Sequence, residues 1–579
     1  MRQIPDAYKK VPMMFRSPIP GRSQLQYLDK DKKKAREAQD VEKWVSEWTD
    51  KSQLIPEENA RDVETETFQA KSYQVSWRFV TNGGQDDGIV RPVIGASGIP
   101  FYPGSSMKGA FRQACEQAEQ LGEIPEGTCN IYCGNETDIT PGCLRFEGAY
   151  PTNDWREGLL DLVHPQQGWQ VITPDTNKKP NGESAYAQIS LDRPTLRFAI
   201  SSAKPLSSQQ WEQIWQIWEK AIASGLGSKV SGGYGQINQT SHRILYKAKL
   251  KGQGQAAKLI DETGEFRPNI FRAALRGHAL RIFGGLTDES TAQNLVQHLF
   301  GGIQGNEPTV GLLGFQFQPS QLEIESFGSG QYAQPTYDVK GELIWFLTRP
   351  IADPNQERRL KNLVARLMQF AMIFGGFGKS WRRVDHRIFF EEYYEDTYKA
   401  LIGCHWQWLD KSTKRRNVKV GRTEKIAEFI DRVRDTAREW IQCQNQPLNE
   451  NQWASDWREA WHPRNVQVWG RVAEDMDDSV AVHWFHKSYQ QRIQGIQSEG
   501  SIYKSSVTGK LGQISLIWHR MYPVILVKKN PEDPKQPIVK NTCRYLELIT
   551  IFPDNSKECD RFLEFLHTHP ENFQLLWGE

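Results

Sequence analysis

The sequence of 579 residues has little of what marks membrane, secreted or disulfide-bonded proteins. No apolar run reaches the ~20 residues that a membrane-spanning helix needs. The stretch from Met1 to Arg16 mixes charge with proline and lacks the apolar centre of a signal peptide. Eight cysteines in a chain of this length do not make a disulfide framework. We therefore expect a globular protein of the reducing cytoplasm that has no membrane partner.

Net charge is also small, at +2, and by itself neither favours nor excludes a nucleic-acid partner, because the distribution of charge matters more. Basic residues do cluster at Lys30–Lys34 and Lys411–Arg422. The 20 tryptophans and 18 tyrosines offer rings on which single-stranded RNA could stack. Each ring taken alone is better explained as part of a core.

Three sequence signals recur in the same order in two halves of the chain. The first is a proline turn that opens a helix, P-G-S-S-M-K-G-A-F-R at 103–112 and P-N-I-F-R-A-A-L-R at 268–276. Ser105 or Ser106 can supply an N-cap oxygen, and the free N–H groups there favour an anion. In both copies two basic residues lie four positions apart and so share one helix face: Lys108 with Arg112, and Arg272 with Arg276.

The second signal is a glycine turn before a short alternating strand, at 131–150 and again at 299–317. The third is a glycine-rich loop, G-L-G-S-K-V-S-G-G-Y-G-Q-I at 225–237 and G-G-F-G-K-S-W-R-R at 375–383. Glycine lets main-chain amides approach a phosphate closely, and a basic residue lies inside both loops.

These repeats predict an α+β protein with two related domains. We expect an N-terminal, mostly helical extension over 1–72, a first domain over 73–243 and a second domain over 244–579. The second domain is expected to carry a basic and helical insertion at about 411–500. A G-K-L-G turn followed by W-H-R-M at 518–521 suggests a further glycine loop.

The motif G-S-S-M-K-G-A-F-R at 104–112, followed by the glycine loop at 225–237, resembles the RAMP (repeat-associated mysterious protein) superfamily. The segment 160–200, with D-L-V-H-P, resembles the backbone subunit at the target-distal end of one type III CRISPR subtype. The segment F-R-P-N-I-F-R-A-A-L-R-G at 266–277 resembles a different terminal subunit of these complexes, although P-N-I-F replaces the P-G-S-S turn. The stretches 1–70 and 411–500 match neither.

The resemblance implies a tandem fusion of two RRM-like, ferredoxin-like RAMP domains in a type III effector complex. The implied partners are guide (CRISPR) RNA, target single-stranded RNA, other RAMP subunits and the large polymerase-like subunit. Base pairing would then read the target sequence, and the protein would contact the RNA backbone. The residues expected to bind RNA are Ser105, Ser106, Lys108, Arg112, Gly227, Lys229, Gly232, Gly233, Arg272, Arg276, Lys379, Arg382 and Arg383.

Cleaving members of this superfamily carry an aspartate in the loop before the G-S-S turn, and here Asp87, or failing it Asp86, lies at nearly that spacing. A carboxylate there could bind Mg²⁺ or another divalent metal and orient the 2′-OH of the target RNA, with Lys108 or Arg91 neutralising the phosphate. The sequence G-Q-D-D-G is equally that of a solvated turn. Asp261 occupies the corresponding, shorter loop of the second half, where a structural role is the first interpretation.

Cys129, Cys133 and Cys143 could bind zinc with Cys115 or His164, but the spacing is loose, and buried thiols are the ordinary explanation. Three functions therefore stay open. The first is an RNA-binding subunit that also cleaves target RNA, and the second is a non-catalytic capping subunit of the same complex. The third is a stand-alone guide-RNA-processing endoribonuclease, which usually relies on a histidine acid/base pair that neither glycine loop contains.

Overall fold

The computed structural model describes most of residues 52–579 and, before them, Glu42, Val45, Ser46, Trp48, Thr49 and Asp50. Within 52–579 the residues that it leaves undescribed are 82–84, 87–88, 91, 136, 164–167, 174–185, 239–242, 260–261, 305–306, 391–392, 394–398, 418–419, 449–450, 490–499, 510–512, 529, 532 and 534–537. The chain forms two compact units. Unit 1 comprises Met1–Pro165, Ser184–Arg243 and Leu259–Glu262, and unit 2 comprises Gln166–Glu183, Ile244–Lys258 and Thr263–Glu579.

A four-stranded antiparallel sheet organises unit 1. Its longer strands are β1 (Phe68–Gln74), β2 (Leu144–Pro151) and β3 (Thr195–Ser202), and the two-residue strand Val63–Glu64 pairs with β1 on the outer side. β3 lies between β1 and β2 and is antiparallel to both. The first strand thus begins inside the segment 1–72 that the sequence analysis assigned to an extension, so the first domain starts earlier than expected.

The helices of unit 1 are α1 (Gly104–Gln120), α2 (Thr128–Cys133) and α3 (Ser208–Ala223). α3 begins at a reciprocal capping box between Ser207 and Gln210, which satisfies two of the free N–H groups of its first turn. Its apolar side chains recur every three or four positions, and this spacing places them on one buried face: Trp211, Ile214, Trp215, Trp218 and Ile222.

Short elements complete the described part of unit 1. They are the helix Glu57–Ala60, the 3₁₀ turns Ala96–Gly98 and Val230–Gly232, and the paired strands Arg78–Phe79 with Leu191–Asp192, Gln85–Asp86 with Ile89–Val90, Gly134–Asn135 with Thr140–Pro141, and Leu160–Val163 with Tyr186–Ile189.

The chain order of unit 1 is strand, helix, strand, strand, helix, and a final segment at Ile237 that bridges to Val75 at the end of β1. With β3 in the centre and the last segment beside β1, this is the ferredoxin-like arrangement that the sequence analysis predicted.

The first sheet of unit 2 has the same plan. β4 (Ile244–Gln255) is followed by α4 (Asn269–Gly284) and α5 (Glu289–Phe300), and then by β5 (Leu313–Phe327) and β6 (Gln334–Leu347). The module closes with a long helix and a short edge strand, α6 (Pro354–Phe374) and β7 (His405–Trp408). The sheet order is β5-β6-β4-β7, so the last strand lies beside the first, as in a ferredoxin-like fold.

Two helices follow β7. α7 (Lys411–Asn417) is short, and α8 (Lys425–Cys443) is amphipathic, with one face buried.

A third module occupies the end of the chain. Its elements are β8 (Gln467–Ala473), α9 (Val480–His486), β9 (Ile517–Lys528), β10 (Ile538–Ile551), α10 (Lys557–Thr568) and β11 (Gln574–Trp577). The sheet order is β9-β10-β8-β11, which repeats the order of the second module.

The third module changes the predicted organisation in two ways. The stretch 411–500 is not an insertion into one domain, because β8 at 467–473 is a central strand paired with β10 and β11. The W-H-R-M motif at 518–521 is not a loop, because it lies within β9. The chain therefore carries three successive α+β modules with antiparallel sheets where the sequence analysis predicted two.

Other short elements of the described part of unit 2 are the helix Trp169–Ile172, the 3₁₀ turns Gly330–Tyr332 and His386–Ile388, and the paired strands Ala257–Lys258 with Gly264–Glu265 and Gly302–Gln304 with Glu307–Thr309.

One hydrophobic core is shared by the two sheets of unit 2. α6 contacts both β4 and β9, and α8 packs against α6 and β11. Aromatic rings join the layers, since Trp461 lies 5.4 Å from both Phe374 and Trp518, measured between ring centroids. None of the described helices is long and apolar enough to cross a membrane.

Candidate nucleic-acid interface

Three connections of unit 1 leave its sheet at the same end. They are the β1–α1 loop, the β2–β3 connection and the glycine loop after α3. The antiparallel order of β1, β3 and β2 requires this, because each helix returns the chain to the opposite end before the next strand begins. The predicted acidic loop and the predicted glycine loop therefore meet at one end of the sheet.

Main-chain hydrogen bonds tie these loops together. The N–H of Ser228, in the glycine loop, donates to the carbonyl oxygen of Val80 over 2.8 Å. The N–H of Val93 donates to Oγ1 of Thr81 over 2.9 Å, and the N–H of Phe101 to the carbonyl of Val93 over 3.0 Å. The loop that carries Asp86 is thus pinned at both ends, next to the glycine loop.

The N-terminus of α1 opens on the solvent. Its N-cap residue is Pro103, with no side-chain capping bond, and Ser105 and Ser106 are exposed residues of the first turn. The prediction that one of these serines supplies the N-cap oxygen is therefore wrong. Gly104 is required at the start, because a Cβ there would come within 2.0 Å of the carbonyl oxygen of Phe146.

Lys108 and Arg112 share a face of α1 as predicted, but they differ in their contacts. Arg112 donates from Nη2 to the carbonyl oxygens of Cys133 and Gly134, over 3.2 and 3.1 Å. Lys108 is half-buried and makes no hydrogen bond or ion pair with the described residues. Lys108 is therefore the cation of this pair that is available to an external anion.

The glycine loop owes its shape to left-handed backbone positions. Gly227 has a φ of +76°, and a Cβ there would come within 2.2 Å of the carbonyl oxygen of Val80. Lys229 adopts a φ of +60° and Gly233 a φ of +90°, while Gly232 lies between them in a 3₁₀ turn. The glycines let the loop approach the β1–α1 connection closely, and the half-buried Lys229 adds a positive charge there.

A buried polar network beneath these loops was not anticipated from the sequence. Arg78 donates from Nη1 to Oγ of Ser190 over 2.9 Å and to a main-chain carbonyl of the β2–β3 connection over 2.8 Å. The Oδ2 atom of Asp161 accepts from Tyr234 of the glycine loop over 2.7 Å and from Gln188 over 2.6 Å. Because these groups are buried, the network fixes all three connections relative to one another.

The acidic residues themselves are only partly described. Asp86 lies in the short strand Gln85–Asp86. Asp87 and Arg91 lie outside the described residues, as does Asp261 in the second half.

Comparison with protein families identifies this part of the chain, since residues 82–238 match the model of the RAMP superfamily. We name the matched region the RAMP domain for this similarity. No curated protein matches the chain. A chain of the solved structure "Cryo-EM structure of the Type III-B Cmr-beta bound to cognate target RNA" aligns with 10% identity and a TM-score of 0.28, over 55% of this chain and 97% of that chain.

The part of unit 2 from 244 onwards, which lies outside the matched residues, uses its predicted RNA-binding residues differently. Arg272 is 8% exposed, and its Nη2 donates to the carbonyl oxygen of Phe300. Lys379 turns its ammonium to the carbonyl oxygen of Ala256, over 3.2 Å. The glycine loop is buried at Gly375, where a Cβ would lie 3.0 Å from the ring of Trp381. The first part of the second loop, 375–377, is therefore buried, whereas Lys379 and Ser380 are exposed, and contact of this loop with RNA stays a prediction.

Arg382 and Arg383, predicted to contact RNA, are also buried, each 8% exposed. Arg382 donates from Nη2 to both carboxylate oxygens of Glu459, over 2.7 and 2.9 Å. Arg383 donates to the carbonyl oxygens of Ile517 and Thr508. Their guanidiniums hold the interior of unit 2 together, and we assign both residues a structural role in place of the predicted phosphate contact.

Glu459 is the centre of that cluster, because Arg281 and Arg458 also pair with its fully buried carboxylate. Burial alone would raise the pKa of Glu459, but the guanidiniums of Arg382, Arg281 and Arg458 outweigh it and lower the pKa to about 2. The sequence shows Arg382 and Arg383 as a basic pair. It does not show that Glu459 is the acidic partner, because the two segments are far apart in the chain and no fixed spacing relates them.

The predicted cysteine set lies in the core of the RAMP domain. Cys115, Cys129 and Cys133 are buried, and Cys143 is half-buried. Burial raises the pKa of all of these thiols, that of Cys133 to about 12. Among the described residues no group of three or more His, Cys, Asp or Glu side chains is placed to hold a metal ion.

The basic run at 411–422 is an ordered helix over part of its length. Thr413 accepts from the main-chain N–H of Lys249 over 3.2 Å, and Asn417 accepts from the hydroxyl of Tyr246 over 2.5 Å. These two buried polar residues fix α7 to β4 and leave its basic residues exposed: Lys411, Arg415 and Arg416. The helix α7 therefore presents a positive surface of unit 2.

Proposed function

We propose that this chain is an RNA-binding subunit of a type III CRISPR effector complex in the cytoplasm. In this proposal the loop end of the RAMP domain holds the backbone of the guide RNA and of the target RNA paired with it. Its partners are the guide RNA, single-stranded target RNA, other RAMP subunits and the large polymerase-like subunit.

The observation that carries the proposal is the loop end of the RAMP domain. Unit 1 offers two features, an uncapped helix N-terminus with the cation of Lys108 against β2, and a glycine loop with Lys229 at the end of the sheet where a buried network holds the connections. Main-chain N–H groups at a helix N-terminus favour phosphate oxygens, and so do lysine side chains. Such a surface contacts the RNA backbone without reading bases, as expected where base pairing supplies the specificity.

The proposal extends to cleavage of the target RNA. Asp87 or Asp86, with Mg²⁺ or another divalent ion, would orient the 2′-OH of one target nucleotide towards its own phosphate, with Lys108 or Arg91 beside the phosphate. The pinned ends of the acidic loop at Thr81 and Val93 support this, because they hold the loop next to the glycine loop. The alternative is a non-catalytic capping subunit, which would bind RNA through the same lysines.

A guide-processing endoribonuclease is less well supported. The described residues include a contacting histidine pair, His386 and His486, whose Nε2 atoms lie 3.1 Å apart. His386 is 2% exposed, and burial lowers its pKa to about 3. A neutral imidazole that RNA cannot reach is a poor general acid.

The test of RNA binding is the double substitution Lys108→Gln and Lys229→Gln in the complex assembled on guide RNA. We expect less guide RNA per complex and a salt dependence of RNA binding that is shallower by about one log–log unit for each lost phosphate contact. Lys204→Gln is the matched control, because this exposed lysine follows β3 at the opposite end of the same sheet. Equal guide content in both variants and in the wild type would remove the support for RNA binding at this surface.

A further inference from the structure

Arg276, on α4 in unit 2, has no hydrogen-bond or ion-pair partner for its guanidinium among the described residues. The residue is half-buried, and its Nε atom is fully buried without a hydrogen-bond partner. Its two Nη atoms are not enclosed, so the guanidinium is partly open to solvent. Burial lowers the pKa of Arg276, and none of the described acidic side chains pairs with it.

Other arginines of unit 2 pair with a carboxylate or with main-chain carbonyl oxygens. Arg281, Arg382 and Arg458 share the carboxylate of Glu459, and Arg434 and Arg520 donate to main-chain carbonyls. Arg272, one turn before Arg276, donates to the carbonyl of Phe300 and adds to the positive charge. Burying a guanidinium without an anion or an acceptor is strongly unfavourable. The environment of Arg276 therefore lacks an anion.

Arg276 lines a pocket of about 220 Å³. The wall includes Leu280 on the same helix, Gln293 and Gln297 on α5, and Gly301 after it. None of the described residues that line the pocket is acidic. Because a water molecule takes up about 30 Å³, the pocket has room for an anion of several heavy atoms together with part of the molecule that carries it.

The donors around the pocket suit an oxyanion. The amide of Gln297 already donates to Oγ1 of Thr309, over 3.4 Å, and so helps to hold the wall. Gln293 is exposed and has an amide free to donate at the rim. An ideal Cβ on Gly168 would lie 3.9 Å from Nη1 of Arg276, so this glycine leaves space for the guanidinium. The planar fork of arginine matches two oxygens of one phosphate.

We propose that this pocket binds a phosphate group through the guanidinium of Arg276 and the amide of Gln293. The phosphate could belong to the RNA backbone or to a free phosphate-bearing molecule such as a nucleotide, and both present the same oxygens. Arg276 and Gln293 lie in unit 2 and outside the matched residues 82–238, so the proposal does not depend on RNA binding by the loops of unit 1.

The probe is inorganic phosphate, with the full chain and its Arg276→Met variant compared by thermal unfolding. Met keeps the length of the side chain and removes the charge. With increasing phosphate at constant ionic strength, the wild type should gain stability and the variant should not. Arg358→Met removes an exposed arginine of α6 and should respond to phosphate as the wild type does.

Two further arms identify the source of the phosphate. If it is the RNA backbone, Arg276→Met should bind single-stranded RNA about tenfold or more weakly, with a shallower salt dependence. If it belongs to a free ligand, RNA affinity stays unchanged, and AMP protects the wild type but not the variant. Arg276→Lys keeps the charge without the fork, and a reduced but measurable phosphate response is expected if Arg276→Met fails to fold. An equal phosphate response in wild type, Arg276→Met and Arg276→Lys, or no response in the wild type, would overturn the proposal.

Discussion

Arg112 in unit 1 and Arg272 in unit 2 make the same hydrogen bond. Each guanidinium projects from the first long helix of its module and donates from Nη2 to the carbonyl oxygen at the end of the next helix, Cys133 for Arg112 and Phe300 for Arg272. Arg272 is therefore the structural counterpart of Arg112, and not of Lys108 as the match of the two proline turns suggests. When the two modules are matched by this hydrogen bond, the helix of the second module is shifted by one turn relative to the match of the two proline-turn motifs.

The glycines after those carbonyls confirm this alignment. Gly134 and Gly301 follow the two short helices with φ values of +88° and +72°. A Cβ on either would approach a carbonyl of the hairpin that follows, Thr140 at 2.6 Å or Thr309 at 2.5 Å. The predicted glycine turn thus recurs in both modules, and the arginine secures it.

Arg112→Ala should therefore destabilise the RAMP domain, while Lys108→Ala should not. Loss of Arg112 leaves the carbonyls of Cys133 and Gly134 without their charged donor, which costs about 1.5–3 kcal/mol. Lys108 has no such contact, so its removal should change the free energy of unfolding by about 0.5 kcal/mol or less. Urea unfolding of the two single variants checks this. Equal stability would show that the Arg112 hydrogen bonds contribute nothing.

Two glycines on α1 should respond oppositely to alanine. Gly104→Ala forces a Cβ to within 2.0 Å of the carbonyl of Phe146, so the helix N-terminus must move away from β2, at a cost of about 1–3 kcal/mol. Gly109 lies further along the same helix, and a methyl group added there would meet nothing within 4 Å. Gly109→Ala should therefore stabilise the domain by roughly 0.5–1 kcal/mol, through helix propensity. Thermal unfolding of the two variants checks this, and a change of the melting temperature in the same direction for Gly104→Ala and Gly109→Ala would contradict it.

Local patterns predicted the elements of this fold better than their assembly. The glycine turns and the helix after Pro103 were both readable, because propensity and periodicity act over a few residues. The third module was missed because its first strand, 467–473, follows a long helical stretch, and its partner strands lie far further along the chain, at 538–551 and 574–577. Strand pairing over such distances leaves no local signal.

The sequence likewise shows only those residues of the candidate site that a local motif marks. Lys108, Lys229 and the acidic loop were found from the motif of the first half, and the fold brings the acidic loop and the glycine loop of Lys229 to one end of the sheet. Arg382 and Arg383 look equally basic in the sequence, but the first pairs with Glu459, 77 residues away. A buried ion pair between distant segments is invisible to spacing rules. The network of Arg78 and Asp161 was missed for the same reason.

Glu459→Gln should be among the most damaging single substitutions in unit 2. The change leaves Arg281, Arg382 and Arg458 buried without a countercharge, and removal of one member of a buried ion cluster costs about 3–5 kcal/mol. The transition can be followed by tryptophan fluorescence, since Trp461 and Trp518 lie in the same core. Glu439→Gln, at an exposed position of α8, is the control and should leave the transition unchanged.

The same carboxylate gives unit 2 a defined sensitivity to acid. The pKa of Glu459 is lowered from 4.5 to about 2 in the folded protein, so the unfolded chain binds a proton first as the pH falls. The stabilisation is thus fully present above pH 4.5, and it is lost as the pH falls towards 2, by roughly 3 kcal/mol for this group. Urea titrations between about pH 6 and pH 2 should show this loss in the wild type. A variant Glu459→Gln with the same acid-dependent component would disprove the assignment to Glu459.

The last prediction concerns cleavage of target RNA by the assembled complex. Asp87→Ala, or failing that Asp86→Ala, should abolish one cut at a fixed position in the guide–target duplex, because a single carboxylate serves a single displaced nucleotide. Cuts made by neighbouring subunits should persist, and EDTA should remove the same cut if a divalent metal takes part. Both substitutions lie in a loop whose ends are held by Thr81 and Val93, so stability should change by only about 0.5 kcal/mol. Guide RNA should stay bound, since removing a carboxylate beside phosphates relieves repulsion. An unaltered set of cuts in both single variants and in the double variant would leave the capping subunit as the function of this chain.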